Sequence, residues 1–249
     1  MERIDELNIK EAKIIQNTDY FLFGMDSVLL SNMVEGKKTD ILVDLGTGSA
    51  VMPIIIALKK GIKNILGIEL QSPMYDLACR NVILNNLDNT ISTYNLDLRD
   101  YKKIKEIILN KYKKDGADIV ISNPPYKKQG TGVLNNGDVK YIARHEEKCH
   151  LEDIFKTSSK ILRSKGKLYL VHKPDRLPDA ITLGRKYNLE LKTLRLVQPT
   201  VLHKPSIALM MFVKDGGVEL NIEPSLIQKD ENGNTTQEIW DIYGGKERK

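Results

Sequence analysis

Short apolar runs alternate with longer amphipathic stretches through the first two thirds of the chain. The runs 41–45 (ILVDL), 65–69 (ILGIE), 90–94 (TISTY) and 118–122 (DIVIS) are bounded by turn residues and predict buried strands. Segments 51–60, 72–85, 102–113 and 151–163 carry apolar residues three and four apart with Lys or Glu between them, which predicts helices. Strand-helix alternation of this kind implies a mostly parallel sheet covered on both faces. Further apolar runs at 167–172 (KLYLVH), 191–197 (LKTLRLV) and 206–213 (SIALMMFV) extend the sheet, and no helical pattern links the last two. These two should pair antiparallel. The expected fold is α/β, a doubly wound, mostly parallel sheet ending in an antiparallel hairpin.

The remaining segments are less regular. Residues 127–149 hold three glycines with little periodicity and read as a loop after the fourth strand, either a lid over a substrate or plain disorder. At 249 residues the chain is sized for one α/β domain, organised as an N-terminal segment 1–40, a core 41–213 and a C-terminal extension 214–249 whose last residues should fray. Lys+Arg 38 against Asp+Glu 33 leaves a net charge of +5, a mild bias toward a polyanionic partner. Cys79 and Cys149 are too few and too far apart for a disulfide scaffold, and Cys79 reads as a small core residue of its helix. His145, Cys149 and His150 match no zinc spacing, so no metal is expected. The mixed-charge start MERIDEL is not a signal peptide and no apolar run is long enough to span a bilayer, which together imply a cytoplasmic, membrane-free protein.

Candidate chemistry concentrates where the strand 118–122 ends, in Asn123-Pro124-Pro125-Tyr126. Open α/β sheets place their ligands at the carboxyl ends of the strands. Two prolines make that end stiff, with fixed φ and free carbonyls. An amide oxygen and a backbone carbonyl there can accept both hydrogens of a planar amine, drawing its nitrogen toward sp3 geometry, while Tyr126 stacks on the ring that bears it. Methyl transfer to an exocyclic amino group needs this arrangement. Asn123, Pro124, Pro125 and Tyr126 are therefore the candidate catalytic residues.

The strand 41–45 runs into Asp44-Leu45-Gly46-Thr47-Gly48-Ser49-Ala50 and then a helix, with Pro53 in its first turn, where a missing N–H is harmless. A dinucleotide fingerprint starting at Gly46 fails at Val51, and no Gly-Lys-Ser/Thr follows, so a nucleoside-triphosphate loop is excluded. The segment resembles motif I of the class I methyltransferases that use S-adenosylmethionine, D-x-G-x-G-x-G. Ala50 replaces its third glycine, which is tolerable if the φ of Ala50 is negative. Glu69 and Asp97 close the next two strands, where they would meet the ribose hydroxyls and the adenine of that cofactor.

Over nearly its whole length the chain resembles the bacterial tRNA (adenine-N(6))-methyltransferases that modify position 37, beside the anticodon, of a valine tRNA. Besides the two motifs the resemblance takes in Gln16, Phe23-Gly24-Met25-Asp26-Ser27-Val28-Leu29-Leu30, Arg144-His145-Glu146, His172-Lys173-Pro174-Asp175-Arg176-Leu177, Leu194-Arg195-Leu196-Val197 and Lys204. It implies a class I, Rossmann-like fold, S-adenosylmethionine as cofactor and tRNA as partner. It further implies cofactor contacts from Asp26 and Ser27 beside Asp44, Gly46, Gly48, Glu69 and Asp97, although a helix N-cap explains Asp26 and Ser27 equally well. Lys127, Lys128, Arg144, Lys173, Arg176, Arg195 and Lys204 could meet RNA phosphates, each also readable as solvated surface.

Asn-Pro-Pro-Tyr also serves enzymes that act on DNA adenine, ribosomal RNA bases and protein glutamine. The chain has little room for the recognition insert usual in DNA enzymes, and only 43 residues precede Asp44, where glutamine enzymes carry a helical domain. Methylation of a ribosomal RNA base or a protein glutamine stays open, as does a non-catalytic RNA-binding module on the same fold.

Overall fold

The computed structural model describes residues 1–7, 9–18, 20, 22–124 and 151–245. Its centre is β3 (Ile41–Leu45), every residue of which is buried. Parallel strands β4 (Asn64–Glu69) and β6 (Ala117–Ser122) flank it, with Asp44 opposite Gly67 on one side and Ile121 on the other. β5 (Ile91–Asn95) lies outside β4, and β7 (Leu162–His172), β9 (Ile207–Lys214) and β8 (Leu189–Gln198) follow β6 in that order. β9 is antiparallel to both its neighbours. The doubly wound sheet with its antiparallel hairpin is thus present.

Alternation along β3 sorts its side chains between two cores. Leu42 points to the side covered by α1 (Met25–Met33), α2 (Val51–Lys60) and α3 (Ser72–Leu84). Ile41 and Val43 point to the side covered by α4 (Tyr101–Tyr112), α5 (Leu151–Ile161) and α6 (Leu177–Lys186), where Phe155 meets Phe212 edge-on with ring centroids 5.0 Å apart. Burying apolar residues on both faces is what a parallel sheet requires.

Several boundaries differ from expectation. The helix expected over 151–163 ends at Ile161, because Leu162 already pairs with Ala117 of β6. A bulge follows through Arg163–Gly166, with Lys165 at φ 62°, before the ladder resumes at Lys167. α6 was not apparent in the sequence. The C-terminal extension is less irregular than its composition: β10 (Asn221–Ile222) and β11 (Leu226–Ile227) run beside β8, and α7 (Gln237–Ile242) buries Ile239 and Ile242. Arg195 holds this extension down, donating to the Pro224 carbonyl and, at 2.5 Å, to Glu238. It is committed to structure, which removes it from the candidate RNA contacts. Cys79 is half-buried, 3.0 Å from the Thr93 hydroxyl, and does not lie in the core proper.

An N-terminal hairpin, β1 (Glu2–Glu6) with β2 (Lys13–Asn17), stands apart from the main sheet. The outer edge of β2 is met by side-chain amides of α3 in place of another strand. Asn85 accepts from the Lys13 N–H at 3.0 Å and donates to its carbonyl at 2.7 Å. Asn81 accepts from the Ile15 N–H at 2.7 Å, donates to its carbonyl at 3.1 Å and donates to the Ser49 carbonyl at 3.0 Å. The match is geometric, since four residues of helix rise about 6 Å and two residues of strand about 6.6 Å.

Asn81 is fully buried, so Asn81→Ala should strand three backbone groups and cost roughly 2–4 kcal/mol, against less than about 1 kcal/mol for the more exposed Asn85→Ala. Urea denaturation of both variants measures the difference, and equal losses would contradict the larger role given to Asn81.

Candidate active site

The chain runs outward from β3 through β4 to β5 and then returns to the opposite side of β3 with β6. The strand ends around this reversal form the crevice where doubly wound sheets bind ligands. Four expected polar residues lie along it in spatial order, Asp97 after β5, Glu69 on β4, Asp44 on β3 and Asn123 after β6.

Loop 46–50 is moulded against the end of β4. The N–H groups of Gly46 and Thr47 both donate to the Ile68 carbonyl at 3.0 Å, and Gly48 N–H donates to Glu69 Oε2 at 2.9 Å. Glu69 Oε1 accepts from the Gln71 N–H at 2.9 Å. Gly46 has φ 80° and Gly48 φ 55°, and a Cβ on Gly46 would meet nothing within 4 Å. The backbone therefore faces open space, as close approach of a ligand requires. Ala50 also has a positive φ, 63°, while its methyl is fully buried. The expected negative φ is not found. Position 50 keeps the glycine conformation without the glycine, at a cost of roughly 1–2 kcal/mol.

Asp44 is completely buried. Its Oδ2 accepts from the Thr47 hydroxyl at 2.7 Å, and its Oδ1 has no hydrogen-bond partner among the described residues. Thr47 reaches it by lying flat on β4, in space that exists because residue 67 is glycine; a Cβ there would sit 3.0 Å from the threonine side chain. Burial pushes the Asp44 carboxyl up to about 7, with the Glu69 charge adding to the effect and the Thr47 hydrogen bond opposing it. Glu69 is nearly buried; its Oε1 also accepts from the Gln71 side-chain amide at 3.5 Å, and its Oε2 retains a lone pair beyond the Gly48 N–H. Asp97 binds its neighbour Arg99, accepting from Nε at 3.0 Å and from the backbone N–H at 2.9 Å, and that pairing holds its carboxyl below the usual range.

Asn123 is half-buried, and its Nδ2 donates to the Ser27 hydroxyl at 3.0 Å, across 96 residues of sequence. Ser27 is buried in the first turn of α1, whose N-cap is Gly24 without any side-chain cap. Neither Asp26 nor Ser27 is the N-cap, so that explanation of the pair falls. Asp26 is half-buried one residue before Ser27. Pro124 is buried beside Asn123; Pro125, Tyr126, the loop 127–149, Lys127, Lys128, Arg144, His145, Cys149 and His150 lie outside the described residues.

His172 closes β7 two residues beyond Leu170, the partner of Ser122, and its Nδ1 accepts from the Lys173 N–H at 2.8 Å. Burial lowers it to about 4, helped by the Arg176 and Lys173 charges and opposed by Asp175 and Asp179. The sequence reading did not assign Thr47, Gly67, Gln71 or Arg99 to the site. For Thr47 the signal is local, a hydroxyl three residues after a buried acid.

A doubly wound sheet with a glycine-cornered loop at its reversal and an Asn-Pro strand end beside it is the class I methyltransferase fold. Residues 24–187 match the methyltransferase small domain, and the chain belongs to that family. It is an enzyme that uses S-adenosylmethionine as methyl donor. The tRNA1(Val) (adenine(37)-N6)-methyltransferase of Porphyromonas gingivalis is 26% identical over 204 residues, 80% of this chain and 77% of that protein. The release factor glutamine methyltransferase of Aliivibrio fischeri is 30% identical over 100 residues, 40% of this chain and 32% of that protein. A solved structure from Agrobacterium tumefaciens, described as a predicted O-methyltransferase, superposes with a TM-score of 0.69 at 20% identity, covering 89% of this chain and 96% of that one. Among the described residues no group of His, Cys, Asp and Glu could hold a metal ion, and no helix is long and apolar enough to cross a membrane.

The two shifted groups should oppose each other in acid. Asp44 has an ordinary value of 3.8 and a folded value of about 7, so its stabilising contribution is full at low pH and lost as pH rises through 7. His172 goes from 6.5 to about 4, so its contribution is present above 6.5 and lost as pH falls through 4. Asp44→Asn should unmask stability that rises between those two values, and His172→Gln stability that falls from pH 4 to 7, each by a few kcal/mol. Urea midpoints measured across this range check it; slopes of the same sign in both variants would refute the assignment.

Proposed function

We propose that this enzyme methylates the exocyclic N6 of an adenine in tRNA, at position 37 beside the anticodon of a valine tRNA. The observation that carries the reading is the anchored amide of Asn123 at the end of β6, one strand away from loop 46–50. Similarity over most of the chain to the P. gingivalis enzyme supports the substrate.

When bound, S-adenosylmethionine supplies an electrophilic methyl group on a sulfonium. The glycine-cornered loop and Asp44 would receive its amino-acid end, with the unpartnered Oδ1 facing positive charge. Glu69 would accept the ribose hydroxyls, Oε2 on the lone pair that the Gly48 N–H leaves over, and Asp97 would meet the adenine. Asp26 contributes at the methionine end.

Asn123 does the positioning at the reacting atom. Its NH2 is turned to Ser27, so its Oδ1 lies on the opposite side of the amide and, with the Pro124 carbonyl, accepts both N6 hydrogens of the target base. The nitrogen lone pair then points along the new N–C bond, and the released proton passes to solvent after transfer, without a strong general base. Pro125 stiffens the turn, and Tyr126 stacks on the base. In this reading Ser27 holds Asn123 and does not contact the cofactor. The enzyme acts in the cytoplasm without a metal, a monomer being slightly favoured over an oligomer.

A glutamine side chain also offers a planar NH2, and the similarity to the A. fischeri enzyme gives that substrate a specific claim. Labelled cofactor offered separately to tRNA, ribosomal RNA and release factors decides between them: label in tRNA N6-methyladenosine is expected, and label in protein alone would overturn the proposal. Asn123→Ala should lower kcat about 100- to 1,000-fold with the cofactor Kd within about twofold of wild type. Ser27→Ala should lower kcat roughly tenfold through the freed amide, Ser27→Thr should restore most of it, and calorimetry should find cofactor binding unchanged in both. A weakened cofactor Kd in Ser27→Ala would return Ser27 to the cofactor pocket.

A further inference from the structure

β8 runs parallel to β6 and β7, since both β8 and β7 are antiparallel to β9. The connection from β8 to β9, residues 199–206, therefore emerges at the same edge of the sheet as Asn123. With strands about 4.8 Å apart and Ser122 level with Leu194, four residues before β8 ends, its base lies roughly 14–20 Å from the end of β6.

The loop is built. The Thr200 hydroxyl sits 2.7 Å from His203 Nδ1 and accepts from the Leu202 N–H at 3.3 Å, while Gln198 donates to the His203 carbonyl at 2.9 Å. Below it, the C-terminal extension braces the base through Lys229 N–H to the Pro199 carbonyl at 3.0 Å. The scaffold turns apolar side chains outward: Leu202 is 90% exposed and Val201 55%. The loop's own hydrogen bonds thus hold an apolar tip out in water on the same edge of the sheet as Asn123.

We propose that this tip, Leu202 with the tethered imidazole of His203, packs against bases of the RNA whose target adenine enters at Asn123, while Lys204 meets a neighbouring phosphate. The proposal rests on tRNA being the substrate. Charge favours a polyanion over a protein surface: residues 199–206 contain no acid, and neither Lys204 nor Lys173, exposed on the same edge after β7, forms a salt bridge with a described residue. Unstacked loop bases are held against planar and apolar side chains, and His203 offers a ring whose plane the Thr200 contact sets.

The test is fluorescence anisotropy with an anticodon stem-loop RNA, together with methylation kinetics on tRNA. Leu202→Ala/His203→Ala should weaken RNA binding and raise the KM for tRNA roughly tenfold each, with kcat and the cofactor Kd unchanged. Lys204→Ala should reduce the slope of log K against log salt by about one. RNA affinity unchanged in the double variant while the wild type methylates tRNA would overturn the tip alone. A monomer–dimer equilibrium that the double variant abolishes at constant RNA affinity would do the same, in favour of a second copy. A wild type that labels only protein would remove the substrate reading and this proposal with it.

Discussion

The Glu69 carboxylate holds two backbone N–H groups, one from Gly48 and one from Gln71. Through them it joins loop 46–50 to the strand next door and determines where that loop turns. The loop in turn places Thr47 over the buried Asp44 and opens the space above Gly46. A carboxylate with two backbone donors is a strong fixed point, because each bond is charge-assisted and nearly out of water. The catalytic edge is organised outward from this contact, with the glycine conformations accommodating it.

Amide side chains make the other long-range joins. Asn81 and Asn85 stand in for a missing strand and tie the hairpin to α3, and Asn81 also reaches the Ser49 carbonyl at the far end of the glycine loop. Asn123 ties the end of β6 to α1. An amide carries donor and acceptor together and no charge, so it can be buried against backbone or hydroxyl without the desolvation cost of an ion. Replacing these residues by acids or lysines would forfeit that economy.

The sheet was legible in the sequence because β3, β4 and β6 are dense in Ile, Leu and Val and bounded by turns, and the site strands were legible because an acid or an amide stands at or just past the end of each of them. The N-terminal hairpin escaped since ERIDE alternates charges and leaves Ile4 exposed, so no apolar period marks it. α6 escaped behind Pro174 and Pro178, since proline breaks a helix interior, although Pro178 occupies the first turn, where it is tolerated. The backbone conformation of Ala50 was misjudged because residue type predicts φ only on average, and loop closure onto β4 decided it here. Arg195 looked like a phosphate ligand as a charge; Glu238 and the Pro224 carbonyl, both distant in sequence, had claimed it. The pairing of Ser27 with Asn123 has no local pattern at all.

Gly67 belongs to no motif and touches no expected ligand, yet Thr47 rests on the space it leaves. A Cβ at that position would stand 3.0 Å from the Thr47 side chain, so the threonine would have to give by a few tenths of an ångström and its contact with Asp44 would be disturbed. The tolerance of the cofactor loop to change is therefore decided partly on a strand outside it. A survey confined to the glycine-rich segment would pass over a position on β4 whose side chain would press on it.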